Sequence, residues 1–355
     1  MDYKILDKQA LPEWLESLAK QAKLIAPVER PGGEIVFSDI KKPDEITLDY
    51  VNTLTPPKQF MLPQIEPIIK FKPASGGWMA EAIYDEEKRI IFGIRPCDVS
   101  AIKFLDQFFS EEFQDIYYLK RRENTTLISL TCQEPGGNCF CVCADCGPFV
   151  DEGFDLQLTD LGDCYLVEIG TDRGRDLVTA SQSLFTEAKS EDIKRREELP
   201  GIVETRFKQP KTYFSAGIRK ISAELVPEQL WQELGERCLA CGGCSYACPT
   251  CSCFNVTDYN YDGDAVRVRS WDSCALGGFT RMAGGHNPRK EKQDRRNRRF
   301  YHKLSYYYVM RQGKHGCVGC GRCIGVCLGG IGMPEVVGCI KRDDFPSDAE
   351  AKSEV

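Results

Sequence analysis

Cys238-Leu-Ala-Cys241-Gly-Gly-Cys244-Ser-Tyr-Ala-Cys248-Pro249 is the stretch on which the architecture of this chain turns. Cys317-Val-Gly-Cys320-Gly-Arg-Cys323-Ile-Gly-Val-Cys327 repeats its spacing, with Leu328 where the first run has proline. Two residues between cysteines let one tight loop present three thiolates to a common centre, and the fourth follows after three more residues. Gly242, Gly243, Gly319 and Gly321 remove side chains that would keep backbone N–H groups away from that centre. Disulfides are the weaker reading. The chain has 19 cysteines, an odd number, and no apolar signal segment leads it toward an oxidising compartment.

The spacing is that of the bacterial ferredoxin run for [4Fe–4S] clusters, in which the last cysteine of each run serves the other cluster. The expected ligand sets are Cys238, Cys241, Cys244 and Cys327 for a first cluster, and Cys317, Cys320, Cys323 and Cys248 for a second. Tetrahedral zinc is the alternative, but it needs only four sulfurs and has no use for a third Cys-x2 step repeated twice. Residues 251–316 separate the runs, so an inserted segment must loop out and return.

Composition narrows the rest. Forty-six Lys and Arg against 53 Asp and Glu give a net charge of −7, so no global positive field draws the chain to nucleic acid or anionic membrane. No apolar run approaches the ~20 residues of a membrane span, and a cytoplasmic location is expected. Only three histidines, His286, His302 and His315, are available for acid–base or metal chemistry. Sulfur dominates.

Upstream, an apolar stripe predicts a helix over residues 11–26, closed by Pro27, and TLTPPKQFMLPQIEP reads as a connector. Strands are expected at 89–94, 126–130 and 165–169, and helices at 99–109 and 173–187. Their alternation indicates an α/β domain. SEDIKRREELPG reads as an exposed helix or linker, and the last third is poor in strand signals. The expected organisation is an α/β domain over 1–200, a mainly helical ferredoxin-like domain with two clusters over 201–340, and an acidic tail over 341–355.

The inserted segment carries longer phrases. CPTCSCF from Cys248, RSWDSCALGGFTRMAGGHNPR from Arg269 and RRFYHKLSYYY from Arg298 lead into GCVGCGRCIGVC. Together with FGIRPCDVSAIKFLD, YYLKRRENTTLISLTC, CFC and GFDLQLTDLGDCYLVEIG, they resemble the iron–sulfur beta subunit of cytoplasmic sulfhydrogenases and the corresponding iron–sulfur subunit of anaerobic sulfite reductase. The resemblance implies a relay of electrons between a flavin-containing, NAD(P)-linked subunit and a catalytic redox partner, with FAD in a partner.

Cys97 follows one expected strand and Cys132 ends the next, at the sheet edge where α/β folds place binding sites. With Cys139 and Cys141 they match the family phrases and are expected to hold a third [4Fe–4S] cluster. The alternative is a set of buried thiols acting as small hydrophobes. Cys143 and Cys146 leave the fourth ligand open, or a separate zinc site. Cys251, Cys253 and Cys274 line the first cluster, support a partner contact, or pack; Cys164 and Cys339 read as packed thiols.

From Arg281 to Lys314 stand eleven basic residues against Glu291 and Asp294. With Phe300, Leu304 and Tyr307 at helical spacing, this reads as a basic amphipathic helix, either a solvated face or a dock for an acidic partner, with RNA a lesser reading. The leading functional expectation is an electron-transfer subunit with no catalytic residue of its own. The second is a flavin-dependent reductase of a diffusible cofactor, with flavin on the N-terminal domain.

Overall fold

The computed structural model describes residues 2–209, 212–261 and 264–343. Its larger sheet has eight strands: β1 (Asp2–Asp7), β2 (Lys23–Glu29), β3 (Ile35–Asp39), β6 (Arg89–Ile94), β7 (Thr125–Leu130), β8 (Leu156–Asp160), β9 (Cys164–Ile169) and β10 (Phe185–Glu187). Their order across the sheet is β10-β1-β9-β8-β7-β6-β2-β3. The second sheet is antiparallel, built from β4 (Ile65–Ala74), β5 (Gly77–Ala82), β11 (Phe254–Tyr261) and β12 (Asp264–Trp271) in the order β11-β12-β4-β5.

In the large sheet β2, β6, β7 and β8 run parallel and the outer strands are antiparallel. Every residue of β6 and β7 is buried, as expected of parallel strands covered on both faces. Ile90 and Phe92 face a core shared with Trp14 and Leu18, whereas Ile91 and Ile94 face Val99, Ile102 and Leu105. The alternation changes phase at Gly93, where a register shift coincides with a φ of +76° that suits glycine. The small sheet is tied by buried ion pairs to the helix Ile116–Glu123, which leads into β7. Glu66 of β4 binds Arg269 of β12 at 2.6 Å and Arg121 at 2.5 Å, and Arg269 also reaches Asp115.

Several elements differ from expectation. The first helix spans Leu11–Gln21 and yields to β2. Pro27 lies in that strand opposite Phe37, beyond the point where β2 stops pairing with β6, so its missing N–H leaves no gap there. The third expected helix is Asp172–Ala180, followed by β10. The charged stretch forms the helix Ser190–Glu204. The last third contributes helices but also the β11–β12 hairpin, which pairs with β4 from the N-terminal part. One apolar core likewise joins Cys97, Ala101, Phe140 and Ala144 to Trp231, Phe300, Leu304 and Val337 across residue 200. The tail expected over 341–355 falls, from residue 344, outside the described residues. Among the described residues no helix is long and apolar enough to cross a membrane.

Candidate functional site

The second cysteine run closes on a single cavity. Cys317, Cys320 and Cys323 line it together with Cys248 from the first run, which is the crossed set expected from the spacing. Arg299, Lys303, Phe140, Val318 and Met333 complete the wall, and no carboxylate is among the lining residues. The cavity itself is tight, about 20 Å³. Burial pushes the Cys320 thiol up to about 12 and the Cys317 and Cys323 thiols up as well. Cys248 goes the other way: a hydrogen bond with Cys251, aided by Lys303 and Arg299, holds its thiol well below the ordinary value. Four sulfurs beside two cations suit a group that takes them as thiolates. The donor set fits a [4Fe–4S] cluster.

In the first run Cys238 is buried, Cys244 half-buried and Cys241 exposed. Ala240 donates its N–H to Cys238 Sγ at 3.3 Å, the kind of N–H···S contact that stabilises a coordinating sulfur. Cys244 Sγ accepts from Arg296 Nη1 at 3.6 Å. Burial raises the Cys244 thiol, and the guanidinium groups of Arg299 and Arg296 outweigh it, holding it below the ordinary value. The segment carrying Cys327 reaches this run at two places. A Cβ on Gly243 would stand 3.7 Å from both Val326 and Cys241 Sγ, and one on Gly329 would stand 2.4 Å from the Arg237 carbonyl. Leu328, in place of the proline, is 90% exposed.

The N-terminal cysteines gather at the carboxyl ends of β6 and β7. Cys97 lies in the first turn of the helix Pro96–Ser110 after β6, and Cys132 follows β7 by two residues. Cys139 and Cys141 sit on the loop that follows. Burial raises the thiols of Cys97, Cys132, Cys139 and Cys141, and neighbouring thiols add to it: Cys141 acts on Cys97, Cys132 on Cys139, and Cys139 and Cys132 on Cys141. Gly147 leaves room where they meet, since a Cβ there would lie 3.2 Å from Cys141 Sγ and 3.6 Å from the Cys97 nitrogen. Cys146 Sγ instead turns to the Ala144 carbonyl at 3.1 Å. Cys143 is half-buried against the common core.

This group abuts the second run. Phe140 donates its N–H to the Gly319 carbonyl at 2.9 Å. Gly319 has a φ of +66°, and a Cβ on it would be 2.5 Å from Cys141 Cα, so glycine is required on both counts. Arg322, beside Cys323, makes a bidentate ion pair with Asp98, beside Cys97, at 2.6 and 2.7 Å. Both partners are almost fully buried.

The basic segment departs most from expectation. It forms the helix Lys292–Leu304, broken at Ser305 before Tyr306–Gln312. Arg295, Arg296, Arg299 and Lys303 are buried, on the same side as Phe300 and Leu304. Arg296, Arg299 and Lys303 thus point toward the cysteine runs, whereas Arg281, Lys290, Lys292 and Arg311 of the same segment are exposed to solvent. The signal was present: residues 296, 299, 300, 303 and 304 form one helical stripe, so the basic residues share the apolar face. Lys303 Nζ binds Thr250 Oγ1 at 2.7 Å, and that hydroxyl lies 3.3 Å from Cys248 Sγ. Lys58, within the stretch expected to be a mere connector, is buried and donates to the Cys248 and Cys251 carbonyls at 2.7 and 2.6 Å.

Among the remaining cysteines, Cys251 shares a hydrogen bond with Cys248, and Cys253 with Cys274. The bond from Cys253 pulls the Cys274 thiol down to about 5. Cys274 also lies 3.8 Å from Ser245 Oγ, next to the first run. Cys339 is fully buried in the common core, and Cys164 is a partly exposed residue of β9. Among the described residues no three His, Cys, Asp or Glu side chains converge as on a single metal ion.

Comparison with known proteins agrees with the cysteine reading. Residues 237–331 match the model of the 4Fe-4S dicluster domain family. Over 328 residues the chain is 31% identical to the sulfhydrogenase 2 subunit beta of Pyrococcus furiosus, an alignment covering 92% of this chain and 95% of that one. No solved structure matches the chain.

Proposed function

The chain belongs to the family of the sulfhydrogenase beta subunits, and from that premise we propose that it is the electron-transfer subunit of a cytoplasmic oxidoreductase complex. It works between a flavin- and NAD(P)-linked subunit, where FAD resides, and a catalytic redox subunit of hydrogenase or sulfur-compound-reductase type. The observation that carries the reading is the convergence of Cys248, Cys317, Cys320 and Cys323 on one cavity walled by Arg299 and Lys303. Cys238, Cys241, Cys244 and Cys327 hold the companion cluster, and Cys97, Cys132, Cys139 and Cys141 a third. Bound there, [4Fe–4S] clusters supply one-electron storage and transfer.

The chain's own residues then have three tasks. The cysteines fix the positions of the redox groups, and burial by Phe140, Val318 and Met333 keeps water from the second site. Backbone N–H groups such as that of Ala240 stabilise the coordinating sulfurs. No residue makes or breaks a substrate bond in this reading. Anaerobically purified protein should carry about eight irons per chain for two clusters and about twelve for three. Cys241→Ser and Cys320→Ser should each remove a different EPR-detected species, and unchanged spectra would overturn the assignment. Flavin retained by the isolated chain would favour the flavin-dependent reductase instead.

A further inference from the structure

The segment inserted between the two runs returns to them as an arginine-bearing helix. Arg296, Arg299 and Lys303 lie on one stripe of Lys292–Leu304 and are 2%, 3% and 5% exposed. Among the described residues none of them meets a carboxylate. Nε and Nη2 of Arg296 and Nε of Arg299 have no hydrogen-bond partner in the protein. Burying a cation without a counter-charge is costly, so three such cations on one helix call for negative charge at the sulfurs they face.

Their positions differ in a way that assigns them. Arg296 meets the first run, with Nη1 3.6 Å from Cys244 Sγ. Lys303 meets the second site, bonding Thr250 and the Gly316 carbonyl beside Cys248 and Cys317. Arg299 stands between them. It donates Nη2 to the Cys244 carbonyl at 3.4 Å and lines the cavity of Cys248, Cys317, Cys320 and Cys323.

We infer that this helix is the charge-compensating wall of both clusters, with Arg299 shared between them so that one guanidinium sets the reduction potentials of the pair together. The inference rests on the cluster sets proposed above. Reduction adds one electron to an already anionic centre. A fixed cation nearby therefore favours the reduced form, and its removal lowers the potential. These are positioning residues for charge; they do not ligate iron.

The test is a potential-controlled EPR titration of the full chain, purified without oxygen, with iron counted in each preparation. Arg299→Gln should make reduction harder at both clusters, by at least tenfold in the reduced-to-oxidised ratio at fixed potential, or ~59 mV. Arg296→Gln should shift only the cluster that Cys241→Ser removes, and Lys303→Gln only the one that Cys320→Ser removes. Arg299→Lys, which keeps the charge, should restore most of the shift. Full iron with unmoved potentials in the glutamine variants would overturn the inference, as would equal shifts in Arg299→Lys and Arg299→Gln. If Arg299→Gln fails to assemble, the single-cluster shifts of Arg296→Gln and Lys303→Gln decide. Unmodified protein without reducible iron would instead bring down the underlying cluster reading.

Discussion

Asp98 and Arg322 make a bidentate pair shielded from water, one behind the first strand-following cysteine and the other inside the second run. Removing one member leaves a buried charge uncompensated, which costs about 3–5 kcal/mol. Asp98→Asn should therefore lower the thermal midpoint markedly, and adding Arg322→Met should recover much of the loss. Additive losses in the double variant would show that the two residues act separately. A second prediction concerns His315, stacked on Phe214 at 4.2 Å. Burial, with Lys314 nearby, pushes its pKa down to about 4 from an ordinary ~6.5. The folded state thus keeps the ring neutral, so its contribution is fully present above ~6.5 and is lost as the pH falls toward 4. His315→Phe should flatten the decline of thermal stability across that window. At this scale the sulfurs were legible because their spacing is dictated by the group they wrap. Asp98, Arg322 and Lys58 were not, because a single charged residue carries no period and its partner lies far away in sequence.

The loop of the second run and the loop of Cys139–Cys141 are packed backbone to backbone. Gly319→Ala would drive a methyl group into Cys141 Cα while straining a positive φ. It should destabilise the protein by more than ~1 kcal/mol and reduce iron content, whereas Gly330→Ala, with nothing within 4 Å of its Cβ, should pay only the strain of its φ. Equal iron loss in the two variants would refute a specific role for the contact. The same scale shows what pattern reading captures. β6 was legible as an apolar run, Ile90 to Ile94, and β7 by its Thr-, Leu- and Ile-rich composition. β2 was hidden because Leu24, Ile25 and Ala26, buried on both faces, continue the preceding helical stripe without a break. β11 and β12 were missed because their partners are polar: Arg267 pairs with Asp258, and Arg269 with Glu66. The signals were there all the same: Val266 and Val268 alternate with Arg267 and Arg269, and the two stretches flank an Asp262-Gly263 pair, a hairpin signal in its own right.

Across the molecule the second cysteine run adjoins both of the other groups. Cys244 and Cys323 are joined through Arg299, and Cys320 acts on Cys97 and Cys141. The first run is the group nearest solvent: Cys241 is exposed, as are Leu239, at 65%, and Leu328, which follows Cys327. Apolar residues displayed beside a redox site suit transient docking. Leu328→Asp should weaken electron exchange within the assembled complex, on the order of tenfold for ~1.4 kcal/mol of lost docking energy, while leaving cluster potentials and iron unchanged. Turnover of the complex equal to the unmodified protein would place the docking surface elsewhere.

The small sheet has a consequence for how the polypeptide is made. β4 and β5 leave the ribosome early, yet β12, the strand that completes β4, follows only roughly 190 residues later, a delay on the order of 10–40 s at ordinary translation rates. Through that interval Ile68 of β4, buried in the finished protein, has only a two-stranded ribbon to rest on, too little to persist in water. The nascent protein therefore needs either shelter from a chaperone or slow production, and overexpression should be punished by aggregation before iron is ever supplied.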